Sequence, residues 1–112
     1  MNKKIRLSII FSILFISSHA QDLIKSGPMV GYSTMQEVLL WVQTDKKAKV
    51  HFEYYEIDNP KIRFKTDNKD TDKKSGYVAK LIADQVLPGK KYKYEIFIND
   101  LKVERDYVME FQ

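Results

Sequence analysis

One stretch near the C-terminus constrains the fold more than any other: a proline-glycine turn that runs directly into a segment in which Lys93 and Glu95 alternate with apolar residues. Pro88-Gly89 forms the turn, and the alternating segment covers residues 92–98. One face of this segment carries Tyr92, Tyr94, Ile96 and Ile98. Side chains at every second position share a face of a β-strand. The segment is therefore predicted to be a strand with one face in the core.

The tyrosine that follows the turn adds an architectural signal. Tyr92 lies four residues after Pro88, which resembles the tyrosine corner of immunoglobulin-like and fibronectin type III-like sandwiches. In such a corner the phenol oxygen bonds to backbone across the turn. The corner indicates an architecture and says nothing about chemistry.

Six further segments have the alternation or composition of short strands, and turn signals separate them at intervals of roughly 8–12 residues. They cover residues 27–32, 35–44, 50–55, 61–65, 76–82 and 102–111. The sequence thus predicts an all-β chain: a seven-stranded antiparallel immunoglobulin/fibronectin III-like sandwich. The first segment, which contains a proline, and the lysine-rich 61–65 segment, with Ile62 and Phe64 inward, are predicted at sheet edges. Residues 66–75 are predicted to be a solvated loop.

The register of the 35–44 segment is the least constrained part of the predicted core. Residues 38–42 are apolar on both faces, which predicts a central strand. We expect Leu39 and Trp41 to point inward, although a shift of one residue would turn the opposite face to the core. That opposite face carries Val38, Leu40 and Val42. The predicted core comprises Leu39, Trp41, Val50, Phe52, Leu81, Val86, Tyr92, Tyr94, Ile96 and Phe111.

The first twenty residues have the pattern of a secretory signal peptide. A basic start precedes a ten-residue apolar run over 7–16, and Ser18-His19-Ala20 places small residues before Gln21. Ten apolar residues are fewer than the roughly 18–20 that span a bilayer. We therefore expect residues 1–20 to be a signal peptide and 21–112 to be one exported domain, periplasmic or extracellular. An uncleaved N-terminal anchor is the alternative.

The charge balance disfavours nucleic acid as a partner. Without residues 1–20 the chain has 16 basic and 15 acidic residues, a net charge near +1. No cationic face for a phosphate backbone is expected, and no membrane span remains after cleavage. The chain has no cysteine, so its core must be stable without disulfides or with help from a neighbouring domain.

Two groups of polar residues are candidates for metal binding. His51, the only histidine after residue 20, shares a strand face with Glu53, and such a pair could ligate a metal shared with a partner. Asp67, Asp70 and Asp72 crowd one loop as in calcium sites, but the glycine and terminal glutamate of such loops are missing. We prefer the interpretation of His51 as a polar residue on the outward face and of the aspartates as a hydrated loop.

The inventory of catalytic residue types is small. There is no cysteine and no nucleophile-elbow motif, the glycines are dispersed, and one histidine cannot supply a two-metal site. Aromatic rings are plentiful, as in sugar-binding sandwiches, but most lie on apolar strand faces, so core packing is preferred with Tyr55 as the exposed exception. No catalytic, cofactor-binding or metal-binding residue is predicted in this chain.

Three passages together resemble a known family. They are Ser-Gly-Pro-Met-Val-Gly-Tyr-Ser at 26–33, Glu-Val-Leu-Leu-Trp-Val-Gln-Thr at 37–44, and Gly-Tyr-Val-Ala-Lys-Leu at 76–81 leading to the turn and strand at 87–96. They resemble the N-terminal domain of exported bacterial PhoD-like alkaline phosphatases, which is similar to the fibronectin-like N-terminal domain of purple acid phosphatases. In that family the domain precedes a metallophosphoesterase domain, which carries all the metal ligands and would bind divalent metals such as calcium and iron.

The resemblance implies a non-catalytic accessory domain of a metal-dependent phosphoester hydrolase, as a fragment or truncated product. Its partner would be the C-terminal metallophosphoesterase domain, which would dock on outward apolar residues such as Val38, Leu40 and Val42. The alternative is a free-standing secreted sandwich that binds glycan or protein.

Overall fold

The computed structural model describes residues 23–112, and over that range the chain is all-β with one short 3-10 helix at Lys73–Ser75. The strands are β1 (Ile24–Ser33), β2 (Val38–Thr44), β3 (Lys49–Glu56), β4 (Phe64–Lys65), β5 (Lys69–Asp70), β6 (Val78–Ala83), β7 (Tyr92–Ile98), β8 (Leu101–Val103) and β9 (Glu110–Phe111). The predicted signal peptide, residues 1–20, lies outside the described residues.

The strands form two antiparallel sheets. The three-stranded sheet has the order β1-β2-β6, so β2 is central and β1 lies at an edge, as predicted. The six-stranded sheet has the path β4-β3-β7-β8, with β5 paired to β3 and β9 paired to β7. The prediction of seven strands is wrong, because the described part of the chain contains nine.

The extra strands arise in two segments that the sequence pattern did not resolve. The predicted loop 66–75 contains β5, and it is anchored by two buried threonines. The Thr66 hydroxyl oxygen accepts a hydrogen bond of 2.9 Å from the Phe52 N–H, and the Thr71 hydroxyl oxygen accepts one of 3.0 Å from the Ala48 N–H. The segment is therefore not a fully solvated loop.

The second segment is the predicted last strand, 102–111, which is divided into β8 and β9 by a loop. Tyr107, in that loop, is 45% exposed, whereas Phe111 in β9 is buried. Its hydroxyl donates a hydrogen bond of 2.8 Å to the carbonyl oxygen of Pro28 in β1. The loop thus connects the six-stranded sheet to the edge of the three-stranded sheet.

Inward side chains from both sheets form one buried cluster. Seven of the ten predicted core residues belong to it: Val50, Phe52, Leu81, Tyr92, Tyr94, Ile96 and Phe111. The other three are partly exposed: Leu39, Trp41 and Val86.

The register of β2 is the reverse of the preferred prediction. Val38, Leu40 and Val42 are at most 1% exposed and face the core, so they are not a docking surface. The outward positions suit the larger side chains because glycines lie beside them in β1. A Cβ on Gly27 would lie 3.2 Å from the Trp41 ring, and one on Gly31 would lie 2.9 Å from a Leu39 methyl group. Trp41 and Leu39 therefore lie over β1 on the outer face.

Candidate functional site

Exposed apolar side chains gather at the end of the molecule that contains the proline-glycine turn. Met35, Leu87 and Ile62 are 75%, 61% and 53% exposed. Val86 and Pro88 lie beside them, and we call these five residues the corner patch. Single exposed apolar side chains are normal on protein surfaces, whereas a contiguous group marks an interaction site.

The surface of the corner patch contains two hollows. A hollow of about 350 Å³ lies between Met35 and Leu87, and a second hollow of about 510 Å³ lies between Leu87 and Ile62. Val86 and Leu87 line both hollows, so they form the ridge between them. Such a surface can receive two apolar side chains of a partner, one on each side of Leu87.

Two tyrosines fix the segment that presents the ridge. The Tyr92 hydroxyl oxygen accepts a hydrogen bond of 2.8 Å from the N–H of Leu87, which is the predicted corner contact. The Tyr54 hydroxyl oxygen accepts one of 3.0 Å from the N–H of Gln85. Burial, together with the nearby charge of Asp84, raises the pKa of Tyr54, so this phenol is neutral at physiological pH. The ridge is thus attached to the core strands β3 and β7.

The end of the described chain lies at the same place. β9 pairs with the start of β7, and the rings of Phe111 and Tyr92 stack with centroids 5.3 Å apart. The Ser33 hydroxyl donates a hydrogen bond of 2.8 Å to the carbonyl oxygen of Gln112. Gln112 also lines the hollow beside Met35. The last residue is therefore held next to the corner patch.

Ile62 belongs to the patch because the predicted 61–65 strand is shorter than expected. Backbone turns occupy residues 57–62 directly after β3, and the N–H of Asn59 donates to the carbonyl of Glu56 at 2.9 Å. Pairing with β3 begins only at Phe64. The prediction that Ile62 faces inward is therefore wrong, while the edge position of this strand is confirmed. A polar rim borders the hollow, including Glu56, which lies 3.7 Å from the Lys90 ammonium.

His51 lies on the outward face as predicted, and it is nevertheless buried there, with only 3% of its surface exposed. Its ring stacks on Phe97 of the neighbouring strand, with centroids 4.7 Å apart. Nε2 lies 3.5 Å from a Glu53 oxygen, and Nδ1 is buried without a hydrogen-bond partner among the described residues. Burial and the nearby charge of Lys65 lower the pKa of His51, so the ring is neutral at pH 7.

Around Glu53 the outer face of the six-stranded sheet carries an ion-pair network. Glu53 and Glu95 are directly opposite each other in β3 and β7, an arrangement that would be repulsive alone. Arg63 contacts both carboxylates, and Lys102 contacts Glu95. Burial raises the pKa of Glu95, but hydrogen bonds from Lys102 and Arg63 outweigh it and lower the pKa overall. The network neutralises the face, so we assign it a structural role.

The three loop aspartates are not brought together as ligands. Asp70 belongs to β5, and Asp72 caps the 3-10 helix by accepting a hydrogen bond of 2.8 Å from the N–H of Ser75. That hydrogen bond lowers the pKa of Asp72. Asp67 is exposed beside the buried Thr66. Within residues 23–112 no group of three or more His, Cys, Asp or Glu side chains could hold a metal ion.

The two aromatic residues considered for surface binding have different surroundings. Tyr55, the expected exposed ring, is half-buried beneath the Arg63 guanidinium, which lies 5.0 Å from its centroid. Trp41 is partly exposed on the outer face of the three-stranded sheet, where Lys80 is its partner across the strand pair. Trp41 and Lys80 border a hollow of about 520 Å³.

The corner patch was missed by sequence reasoning, which treated Val86 as core and searched the strand faces for docking residues. One available signal was Leu87, an apolar residue immediately before a proline-glycine turn. A residue at that position lies outside the strand alternation and is displayed by the turn. Within the described range, no helix has the length and apolar character that crossing a membrane requires.

Comparison with families and with curated proteins gives one match. Residues 21–112 match the model of a family described as a domain of unknown function, DUF7800. No sequence among the curated proteins matches the chain.

Comparison with solved structures finds similar folds at low sequence identity. The sensor domain of the anti-sigma factor RsgI4 from Pseudobacteroides cellulosolvens superposes with a TM-score of 0.57 and 14% identity, covering 85% of this chain and 96% of that one. A PhoD structure superposes with a TM-score of 0.60 and 17% identity, covering 80% of this chain. The matched part is only 19% of the PhoD chain. At these identities the comparisons show similarity of fold alone.

Proposed function

The chain belongs to the DUF7800 family, and we propose that it is the non-catalytic N-terminal accessory domain of an exported PhoD-like alkaline phosphatase. In this proposal the two sheets form an immunoglobulin/fibronectin III-like sandwich over residues 21–112, preceded by a cleaved signal peptide. The metal-dependent chemistry belongs to a metallophosphoesterase domain, and the corner patch is the surface against which that domain packs.

The observation that carries the proposal is the fold similarity to a minor part of a PhoD chain, which supports a domain joined to a larger protein. The Gly-Pro-Met-Val-Gly-Tyr opening, which is residues 27–32 here, and the segment 38–44 provide the resemblance in sequence. Both passages lie in the β1-β2 pair.

The corner patch supports the docking part of the proposal. A chain that continued from Gln112 would emerge beside Met35 and Leu87, because the Ser33 hydroxyl holds the Gln112 carbonyl there. An apolar centre with a polar rim is the composition of domain and protein interfaces. The metallophosphoesterase domain is therefore the occupant that we assign to the patch.

The coding sequence after the codon for Gln112 tests the accessory role directly. We expect an in-frame continuation that encodes paired Asp and His ligand motifs. A stop codon at that position would overturn the accessory role.

The docking role is tested separately in the two-domain protein with a matched pair of variants. Leu87→Glu places a charge on the ridge, while Leu101→Glu places one at the opposite end of β7, where Leu101 pairs with Ile98. The two leucines are 61% and 59% exposed, so the two substitutions should change the stability of the domain itself by similar amounts. We expect Leu87→Glu to separate the thermal transitions of the two domains and Leu101→Glu to leave them coupled. Equal behaviour of the two variants would show that the patch is not the docking surface.

A second candidate function is a free-standing secreted module that binds a glycan or a protein. It is favoured by the RsgI4 match, because there the shared fold makes up nearly the whole sensor domain. The same coding-sequence test distinguishes the two candidates. A stop codon directly after Gln112 would overturn the accessory role and support the free-standing module.

A further inference from the structure

We propose that Trp41, Lys80 and Lys69 form a binding site for an acidic saccharide on the outer face of the three-stranded sheet. The three side chains border one hollow of about 520 Å³, together with Val78 and Ser75. The hollow lies away from the corner patch, since none of these residues lines either hollow of that patch. The inference is therefore independent of the proposed docking role.

The indole of Trp41 is held in a fixed position at this site. Its six-membered ring lies over Gly27 of β1, where a Cβ would approach two ring carbons to 3.2 and 3.3 Å. Gly27 has a φ of +83°, which a residue with a side chain rarely adopts. The backbone of β1 therefore makes room for the ring and supports it. A supported, partly exposed ring is a preorganised platform for the C–H face of a sugar.

Two cations flank the platform. Lys80 is directly opposite Trp41 in the β2–β6 pair, which brings the two side chains within contact distance on the same face. Lys69 reaches the hollow from β5. Among the described residues, neither lysine takes part in an ion pair, unlike Lys49, Lys90 and Lys102. Their ammonium groups are available to donate charge-assisted hydrogen bonds to a carboxylate or another acidic substituent.

The neighbouring polar groups are already engaged in local structure. The Ser75 hydroxyl donates to the Asp72 carbonyl at 3.0 Å, so its oxygen is available as an acceptor for a sugar hydroxyl. The Gln43 amide donates to the Gly76 carbonyl at 2.9 Å. The Asp72 carboxylate accepts from the Ser75 N–H. Hydrogen bonds from Ser75 and, to a smaller extent, the charge of Lys69 lower the pKa of this carboxylate. One apolar ring, two lysines that form no ion pair among the described residues and one hydroxyl acceptor match a sugar that carries an acid group.

A nucleic acid would need more than this site offers. Single strands bind along a groove that supplies several cations and successive aromatic platforms, and binding strength follows the number of phosphates that are neutralised. Here one ring and two lysines lie on a domain with 16 basic and 15 acidic residues after residue 20. The observations therefore favour a short acidic saccharide, and an oligonucleotide serves as the competing probe.

Trp41 is the only tryptophan in the chain, so its fluorescence reports on this site alone. The purified protein is titrated with an oligogalacturonate, a neutral galactose oligosaccharide of the same length, and an oligothymidylate. Calorimetry accompanies the fluorescence measurement. We expect saturable binding of the oligogalacturonate with a change in Trp41 emission, and at least about fivefold weaker binding of the other two probes. Equal or tighter binding of the neutral saccharide or of the oligothymidylate, or no binding of the acidic saccharide, would overturn the proposal.

Matched lysine variants locate the site. Lys80→Gln should weaken oligogalacturonate binding about fivefold, equivalent to about 1 kcal/mol. Lys91→Gln removes the same charge from an exposed position in the corner turn and should leave binding unchanged. Both variants alter exposed side chains, and unfolding midpoints confirm that both remain folded. Equal weakening by the two substitutions would indicate unspecific charge attraction and overturn the assignment.

Discussion

The phenol oxygen of Tyr92 accepts a hydrogen bond of 2.8 Å from the backbone N–H of Leu87, across the proline-glycine turn. Replacing Tyr92 by Phe removes the acceptor and leaves that partly buried N–H without it. We expect the free energy of unfolding to fall by about 0.5–1.5 kcal/mol, the net contribution of a hydrogen bond of this kind. Urea denaturation followed by circular dichroism measures the change.

Tyr55→Phe is the matched control for this prediction. Its ring lies beneath Arg63, and this contact survives the substitution because only the hydroxyl is lost. We expect the unfolding midpoint to stay within experimental error of the wild type. Equal midpoints for Tyr92→Phe and the wild type would show that the corner contact contributes nothing to stability.

The sequence predicted the inward face of a strand correctly where its hydrophobic pattern allowed only one inward face. In strand β7 tyrosine or isoleucine occupies every second position and Lys93 and Glu95 lie between them, so its inward face and the corner contact were predicted correctly. Strand β2 is apolar on both faces, and hydrophobicity could not choose between Leu40 and Trp41. The choice follows from Gly27, which makes room for Trp41 on the outer face of a neighbouring strand. Such a contact between strands is not encoded in the alternation of either one.

The candidate site was predictable only in part, for a related reason. Leu87 and Ile62 are exposed because they lie outside the alternating pattern of the strands. Leu87 precedes a turn, and Ile62 precedes a strand of only two residues. Similarly, the burial of His51 on an outward face depends on Phe97 in β7, which is distant in sequence. Pattern analysis assigns a face to a residue but does not show which neighbours cover that face.

The inward face of β2 can be tested with two substitutions of the same kind. Leu40 is fully buried, so Leu40→Ala should lower the free energy of unfolding by about 2–5 kcal/mol. Leu39→Ala removes the same atoms from the outer face and should lower the free energy of unfolding by about 1 kcal/mol, because Leu39 is only partly buried. Chemical denaturation of both variants provides the comparison. A larger loss for Leu39→Ala would contradict the observed register.

His51 makes stability depend on pH in a defined direction. Burial and the charge of Lys65 lower its pKa in the folded state, so below the ordinary value of about 6.5 the unfolded state takes up the proton first. Above that pH His51 is neutral in both states and does not affect stability. As the pH falls below it, proton uptake by His51 in the unfolded state lowers the free energy of unfolding, down to the depressed folded-state pKa.

The variant His51→Phe retains an aromatic ring to stack on Phe97 and removes the titrating group. We expect its stability relative to the wild type to increase as the pH is lowered from 7.5 to 5.5. Urea midpoints at several pH values measure the difference, in which contributions from carboxylates common to both proteins cancel. A difference that does not vary with pH would show that His51 titrates equally in both states.

Arg63 should stabilise the fold more than an equally exposed lysine in a simple pair. The side chains of Arg63 and Lys49 are both 39% exposed, but Arg63 contacts two opposed carboxylates, while Lys49 contacts Asp100, which is 65% exposed. We expect Arg63→Met to lower the free energy of unfolding by about 1 kcal/mol or more, and Lys49→Met by less than about 0.5 kcal/mol. High salt should reduce both effects. Equal losses at low salt would mean that the repulsion between Glu53 and Glu95 is unimportant.

The purified chain should not hydrolyse phosphoesters. Hydrolysis of this kind uses bound divalent ions to lower the pKa of a water molecule and to stabilise the charge of the transition state. A chain with a single histidine after residue 20 and no cysteine lacks the ligands for a closed pair of such ions. We expect no turnover of p-nitrophenyl phosphate or its bis-ester, with or without calcium, zinc or iron. Metal-dependent turnover that His51→Ala abolishes would make His51 a ligand and replace the accessory role with a catalytic one.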